Sequence, residues 1–326
     1  MVVSIIFLWL IGQKLDFSAV RDNLSRISPA HVLVSLSFLA AGYSVRIIRW
    51  WCMLRSFDPE LSIRSCGWPF LVSIGINNLL PFRAGDIIRV FGFREIFRLP
   101  SMQLMGTLVI ERLLDLITLL AFFFILLPGA VNDEVSPAFV SLVAWIGAAG
   151  IAAVLFVLFF SGSIKRFIYW FADHPFFIRR KWSDHIRLHS SHLLDTLLLL
   201  RTPRLTLQLL ALSLLVWALE GAVYAAVAHG LSVMTMTGPW FALSTGTLGT
   251  LLPSSPGYVG TFDYFAILGM IAYGTDHDLA AAFALIVHIV LWLPLTMIGI
   301  AYFLRPSARI LRQQVTAAIS AYKVQK

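Results

Sequence analysis

Residues 279–304 read LAAAFALIVHIVLWLPLTMIGIAYFL, with no Asp, Glu, Lys or Arg from end to end. About 20 apolar residues in a helix are enough to cross the roughly 30 Å hydrocarbon core of a bilayer. A helix satisfies every backbone group within itself, which lipid demands, so this run predicts a membrane-spanning helix. Working outward, comparable runs recur at about 31–55, 103–127, 138–160 and 205–231. Weaker ones, interrupted by Gly or Pro, lie at about 65–80, 240–252 and 258–273. The first run, 2–11, is short and no small-residue cleavage site follows it, so it reads as a helix end or short anchor, not a removed signal peptide. The fold class expected is all-α: a polytopic membrane helical bundle with about eight or nine membrane segments, the weak ones interrupted or re-entrant.

Composition agrees. Of 326 residues 59% are hydrophobic and 13% charged, whereas a soluble domain carries about a quarter charged residues. The runs leave no room for a separate soluble domain, so residues 1–326 form a single integral membrane domain. It divides into a first half at about 31–160, a basic amphipathic segment at about 162–204, a second half at about 205–304 and a basic tail at 305–326. The net charge of +8 sits between the apolar runs and not on a water-soluble module, which argues against nucleic acid. The segment 162–204 carries Lys165, Arg166, Arg179, Arg180, Lys181, Arg187, Arg201 and Arg204 against Asp173, Asp184 and Asp195; the tail carries Arg305, Arg309, Arg312, Lys323 and Lys326. The positive-inside rule places both on the cytoplasmic side of a bacterial or archaeal inner membrane. Aromatic residues among those bases, such as Tyr169, Trp170 and Trp182, predict a helix lying in the headgroup plane.

Two cysteines, Cys52 and Cys66, make no disulfide framework, and two unrelated thiols are the simpler reading. His185, His189 and His192 fall at i, i+4 and i+7, but without a clear fourth ligand they are read as interfacial residues and not as a zinc site. There is no P-loop, Rossmann fingerprint, GxSxG or Cys-x-x-Cys in the chain. No cofactor, metal or catalytic residue is expected, and the chain is not read as an enzyme.

One internal repeat bears on mechanism. Leu79-Leu80-Pro81-Phe82-Arg83-Ala84-Gly85 and Leu251-Leu252-Pro253-Ser254-Ser255-Pro256-Gly257 share Leu-Leu-Pro-x-x-x-Gly, and each ends a segment rich in small residues. Paired broken helices in corresponding halves mark transporter binding sites, so Pro81 and Pro253 are expected to end helices at equivalent places. Ionisable residues inside apolar helices cost at least about 2.5–3.5 kcal/mol each and normally face a cavity or a partner. Here they are Arg46, Arg49, Glu111, Arg112, Asp115, Glu220, Asp263 and His288. His288 reads as a hydrogen-bonded core histidine. Glu220 and Asp263 have no neighbouring base in sequence, so each should meet an arginine from another segment. Arg46, Arg49, Arg83 and Arg112 are the candidates, with Arg83 preferred for Asp263 because the repeat would bring the two loops together.

Taken in order, several of these stretches resemble the flippase-like transmembrane region of the lysylphosphatidylglycerol synthase family. They are Arg46-x-x-Arg49-Trp50-Trp51, Asn77-Asn78-Leu79-Leu80-Pro81-Phe82-Arg83-Ala84-Gly85-Asp86-Ile87-Ile88-Arg89, Glu111-Arg112-Leu113-Leu114-Asp115, Trp217-x-x-Glu220 and Pro253-Ser254-Ser255-Pro256-Gly257-Tyr258-Val259-Gly260-Thr261-Phe262-Asp263. The match runs over about 46–304. Where the family usually has Glu after Pro-Gly-Gly-x-Gly, this chain has Asp263, a shorter carboxylate. The resemblance implies a membrane module that moves a lipid with an anionic headgroup, a phospholipid or a polyprenyl-phosphate-linked sugar, between leaflets. The chain ends soon after its last helix, so synthase activity is not expected. The headgroup site implied comprises Arg46, Arg49, Asn77, Asn78, Arg83, Asp86, Arg89, Glu111, Arg112, Asp115, Glu220, Ser254, Ser255, Gly257, Gly260 and Asp263. In it Arg46, Arg49, Arg83 and Arg89 would meet phosphate, and Glu111, Asp115, Glu220 and Asp263 would balance them in the empty state. With no ATPase motif, movement would be downhill, ion-coupled or driven by a partner. The rival readings are an enzyme acting on a polyprenyl phosphate through Glu111 and Asp115, and a scaffold for lipid-synthesis enzymes.

Overall fold

The computed structural model describes residues 2–13, 15–80, 83–130, 137–173, 180–252 and 255–305, and every regular element among them is helical. In chain order these are α1 (Val2–Gly12), α2 (Phe17–Arg26), α3 (Pro29–Leu54), α4 (Ile63–Leu79), α5 (Ala84–Phe91), α6 (Arg94–Phe97), α7 (Ser101–Leu126), α8 (Pro137–Asp173), α9 (Arg180–Leu197), α10 (Pro203–Gly230), α11 (Gly238–Gly249), α12 (Thr261–Ile271) and α13 (His277–Phe303). Short side chains start several of them. Asp16 accepts from the Ser18 amide at 2.9 Å to cap α2, and Asp276 accepts from the Asp278 amide at 3.1 Å to cap α13.

The expected apolar segments all fall on helices, but not all of these helices can span. Among the described residues α3, α10 and α13 are long and apolar enough to cross a membrane, which accounts for three of the expected eight or nine. α7 matches α3 in length but carries Glu111, Arg112 and Asp115 in its middle. α11 and α12 have 12 and 11 residues. At about 1.5 Å per residue each reaches only about 17 Å, little more than half a hydrocarbon core. These two pack on each other instead: a Cβ on Gly269 of α12 would lie 2.7 Å from the Ala242 Cα of α11. The small residues that made 240–252 a weak span in sequence are what this close contact needs.

Helix crossings elsewhere use the same device. A Cβ on Gly75 of α4 would stand 2.5 Å from the Leu295 carbonyl oxygen and 2.7 Å from the Gly299 Cα of α13, so the two backbones touch there. Beside the contact, Asn78 Nδ2 donates to the Trp292 carbonyl at 3.2 Å and to Thr296 Oγ1 at 3.0 Å, close to Pro294 inside α13.

The apolar interior is split into two clusters. One gathers Trp50, Met53, Leu54, Phe70, Ile110, Leu114 and Leu209, and the other Leu39, Leu119, Phe123, Val216, Tyr224, Phe241 and Phe283. On α3, α7 and α10 alike, the charged and polar residues fall near where one cluster gives way to the other. Outside, Leu33, Ile125, Phe159, Leu207 and Met297 are each more than three-fifths exposed, as a surface solvated by acyl chains requires.

Three expectations need correction or placement. The basic segment is not one interfacial helix: its first residues, through Asp173, continue α8, and Arg180–Leu197 forms the separate α9. α9 packs on α7, with Thr196 against Gly106, because its apolar side finds a partner there. Pro81 and Pro253 lie outside the described residues, although α4 stops at Leu79 and α11 at Gly249, just ahead of them. Residues 306–326 of the tail, with Ser254, lie outside them as well. Cys52 and Cys66 are free thiols.

Candidate functional site

α3 places Arg46 and Arg49 three residues apart, on neighbouring faces of one turn. Arg49 is fully buried. Its Nη1 donates to Asp115 Oδ1 and to Ser213 Oγ, both at 2.7 Å, and its Nη2 lies 3.7 Å from Glu111 Oε1. Arg46 donates to Glu220 on α10 and stands 3.8 Å from Asp115 Oδ2. Its guanidinium rests 4.8 Å from the Trp217 ring centroid, and the Trp217 indole N–H donates to Asp115 at 3.2 Å. Glu111 and Asp115, four apart on α7, are therefore each flanked by two arginines.

The chain of charges continues on α5. Arg89 Nη2 donates to Glu111 Oε2 at 2.6 Å and lies 4.0 Å from Asp86 Oδ1. Its guanidinium sits between the Trp50 and Phe70 rings, at 5.0 and 4.8 Å. Arg112 Nη2 donates to Asp86 Oδ2 at 2.8 Å. In sequence of contact the order is Glu220, Arg46, Asp115, Arg49, Glu111, Arg89, Asp86, Arg112, with signs alternating throughout. Asp86 is fixed by Asn77: Asn77 Nδ2 donates to Asp86 Oδ1 at 2.9 Å and the Asp86 amide donates to Asn77 Oδ1 at 3.1 Å. Gly85 allows that approach, since a Cβ there would run into the Ser73 carbonyl of α4.

Six of the eight charges, Arg46, Arg89, Glu111, Arg112, Asp115 and Glu220, border a cavity of about 210 Å³, with Arg49 and Asp86 paired behind them; it is lined also by Tyr43, Asn78, Arg83, Thr247, Gly257, Tyr258, His288 and Trp292. The two repeat loops meet in it. Arg83, left-handed at φ 53°, heads α5, and its Nε donates to the Tyr258 hydroxyl at 2.9 Å. Tyr258 and Gly257 are left-handed in turn, at φ 61° and 69°. Among the described residues Arg83 has no carboxylate partner. It is thus the arginine of the cavity that stands outside the alternating chain.

Sequence reasoning expected Asp263 to pair with an arginine, Arg83 first. The structure pairs it with His288: Asp263 Oδ1 lies 2.7 Å from His288 Nδ1, while Asp263 Oδ2 accepts from the Gly260 amide at 2.8 Å. Asp263 opens α12 and caps its own helix, which turns it toward α13 and away from Arg83. Glu220 meets Arg46, one of the arginines proposed for it. The backbone at Ser255 and Gly260 packs on α1, and neither residue lines the cavity. The Ser255 amide donates to Ser4 Oγ at 2.8 Å, and a Cβ on Gly260 would stand 2.6 Å from the Ser4 carbonyl oxygen. Tyr43, Tyr258 and Trp292 are cavity residues that sequence reasoning left out. Trp292 was accessible, since it repeats His288 at i+4 on one face of α13; Tyr258 lay within the quoted Pro-Gly-Tyr-Val-Gly stretch but drew no role, and nothing in the sequence marked Tyr43.

A comparison with curated proteins finds no match. The family model of the lysylphosphatidylglycerol synthase TM region matches residues 1–299. That match takes in every element from α1 to most of α13 and both halves of the cavity wall, so the chain belongs to the lysylphosphatidylglycerol synthase transmembrane-region family.

Proposed function

We propose that the protein binds the anionic headgroup of a membrane lipid in this cavity and moves that headgroup between leaflets. Arg83 carries the reading. The eight-charge chain is neutral within itself, and Arg83 borders the same cavity held by a phenol alone among the described residues. A guanidinium so placed is matched to the oxygens of a phosphate, and the exposed apolar helix faces leave acyl chains a place outside. Asn78, Tyr258 and the Trp292 indole supply further polar edges to the headgroup.

The rival enzymatic reading looked to Glu111 and Asp115 as a metal-binding pair. Both carboxylates are already engaged by arginines, which supports binding and passage over metal-assisted chemistry. The ligand class fits a phospholipid or a polyprenyl-phosphate-linked sugar, and the basic segments belong on the cytoplasmic side.

The test is mass spectrometry of lipids retained by purified protein, followed by reconstitution of the retained species. Wild-type protein should hold a phosphate-bearing lipid above its abundance in the extract. Arg83→Gln, folded to the same extent, should lose it several-fold and lose its appearance in the opposite leaflet. Equal retention by wild type and Arg83→Gln would refute the reading.

A further inference from the structure

We propose that His288 and Asp263 together bind one proton, and that this proton sets the turn that holds Arg83, coupling headgroup binding to protonation. The coupling rests on the lipid-binding reading above; the proton site does not. His288 Nε2 lies 2.9 Å from the Gly257 carbonyl oxygen, and His288 Nδ1 lies 2.7 Å from Asp263 Oδ1. A carbonyl oxygen only accepts, so Nε2 carries a hydrogen. A carboxylate also only accepts, so Nδ1 carries one too, or else the carboxyl is protonated and donates to Nδ1. Either way the pair holds one proton more than a neutral imidazole beside a carboxylate.

Loss of that proton to the cavity leaves the ring a single N–H for two acceptors. The contact with the charged carboxylate is the stronger, so the hydrogen stays on Nδ1 and Nε2 turns its lone pair on the Gly257 carbonyl. Gly257 takes its left-handed conformation freely, but Tyr258 beside it is left-handed as well, and a non-glycine residue held in that region needs its surroundings to keep it there. The Tyr258 hydroxyl accepts from Arg83. Releasing Gly257 therefore loosens the Tyr258 hydroxyl, the hydrogen-bond partner of Arg83 among the described residues.

The charges agree with a proton-linked anion. The charged and titratable groups that line the cavity with His288 are Tyr43 and Arg46 on α3, Arg83 and Arg89 at α5, Glu111, Arg112 and Asp115 on α7, Glu220 on α10 and Tyr258 on the turn, with Asp263 on α12 bonded to the ring. α4 adds Asn77 and Asn78, which do not titrate, and α2 meets the far end of α13, near Asp278. The alternating chain cancels itself, and Arg83 cancels Asp263. The proton leaves the cavity one positive charge in excess, the complement of a singly charged phosphodiester. Proton and headgroup then favour each other's binding by the same factor.

Hydrogen exchange of the backbone at 255–260, corrected for the intrinsic pH dependence of exchange, tests the switch on the wild-type protein itself. Across about pH 5 to about pH 10, spanning the titration range of histidine, protection should fall in a single step. The ¹⁵N-histidine spectrum should change at the same pH in the signal that His288→Gln removes. Protection and that signal both constant over the range would overturn the proposal. In nanodiscs of phosphatidylcholine with a minority of phosphatidylglycerol, retention of the latter should weaken about fivefold or more above the step, and His288→Gln should flatten that dependence. A step in exchange with no phosphatidylglycerol retained at any pH would keep the proton switch and count against the lipid reading. Retention that is pH-independent while the step persists would overturn the coupling.

Discussion

The alternating chain on α3, α5, α7 and α10 and the Asp263–His288 pair on α12 and α13 both bury carboxylates at or just behind one cavity wall, by opposite means. In the chain each interior charge has two opposite neighbours, and its most buried member, Arg49, is fully enclosed. The pair has one contact between its members, each 15% exposed, and its other bonds run to backbone. Redundant pairing among permanently charged guanidiniums fixes geometry and resists titration. A single imidazole–carboxylate contact, tied to a turn, responds to it. The first region reads as architecture that presents a polar wall, and the second as the part whose state changes.

That division is open to attack by substitution, beginning with the largest effect. Asp115→Asn strips the charge that Arg46 and Arg49 share and leaves a buried guanidinium short of a partner. It should cost about 3–5 kcal/mol, read as a fall in thermal midpoint and in yield from detergent extracts; normal stability would show that the chain is not architectural. Gly85→Ala forces a methyl against the Ser73 carbonyl and should cost about 1–3 kcal/mol as α5 shifts, with the same assay deciding. Ser4→Ala removes the acceptor of the Ser255 amide and should cost about 1 kcal/mol, raising exchange at 255–260 without abolishing its pH step. Arg83→Gln should change stability by less than about 0.5 kcal/mol, since no ion pair is lost, while lipid retention drops. A destabilisation as large as that of Asp115→Asn would move Arg83 into the architectural group.

Much of this was legible in the residues because membrane helices announce themselves by uninterrupted hydropathy. Runs at 31–55, 205–231 and 279–304 became α3, α10 and α13 within a few residues. Charges within such runs marked Arg46, Arg49, Glu111, Asp115 and Glu220 as groups that must meet, since isolated they are too costly, and they do meet. Partner choice was less visible. Which carboxylate faces which base depends on helix rotation: Asp263, as the cap of a short helix, looks at α13 and not at the loop carrying Arg83. Tyr43 left no trace, and Tyr258 drew no role even within its Pro-Gly-Tyr-Val-Gly stretch, because a tyrosine in an aromatic-rich apolar chain has no distinguishing pattern. The aromatic-basic stretch after 162 misled for a related reason: amphipathicity states that a helix has an apolar side, but not whether lipid or another helix covers it.

The backbone contact between Gly75 and Gly299 has a mechanical consequence. With no side chain between them, α4 and α13 cannot slide past one another without separating, but they can rock on that point like a seesaw. α4 leads into the Arg83 loop, and α13 carries His288 and Trp292 in the wall of the same cavity. Rocking on this fulcrum would open the gap between the helices on the side of the crossing that holds the cavity as it closes the gap on the other side. Distances between spin labels placed on α4 and α13 on either side of the crossing should then change in opposite senses when the protein changes state. A change of the same sign on both sides would mean that the helices part instead of pivoting.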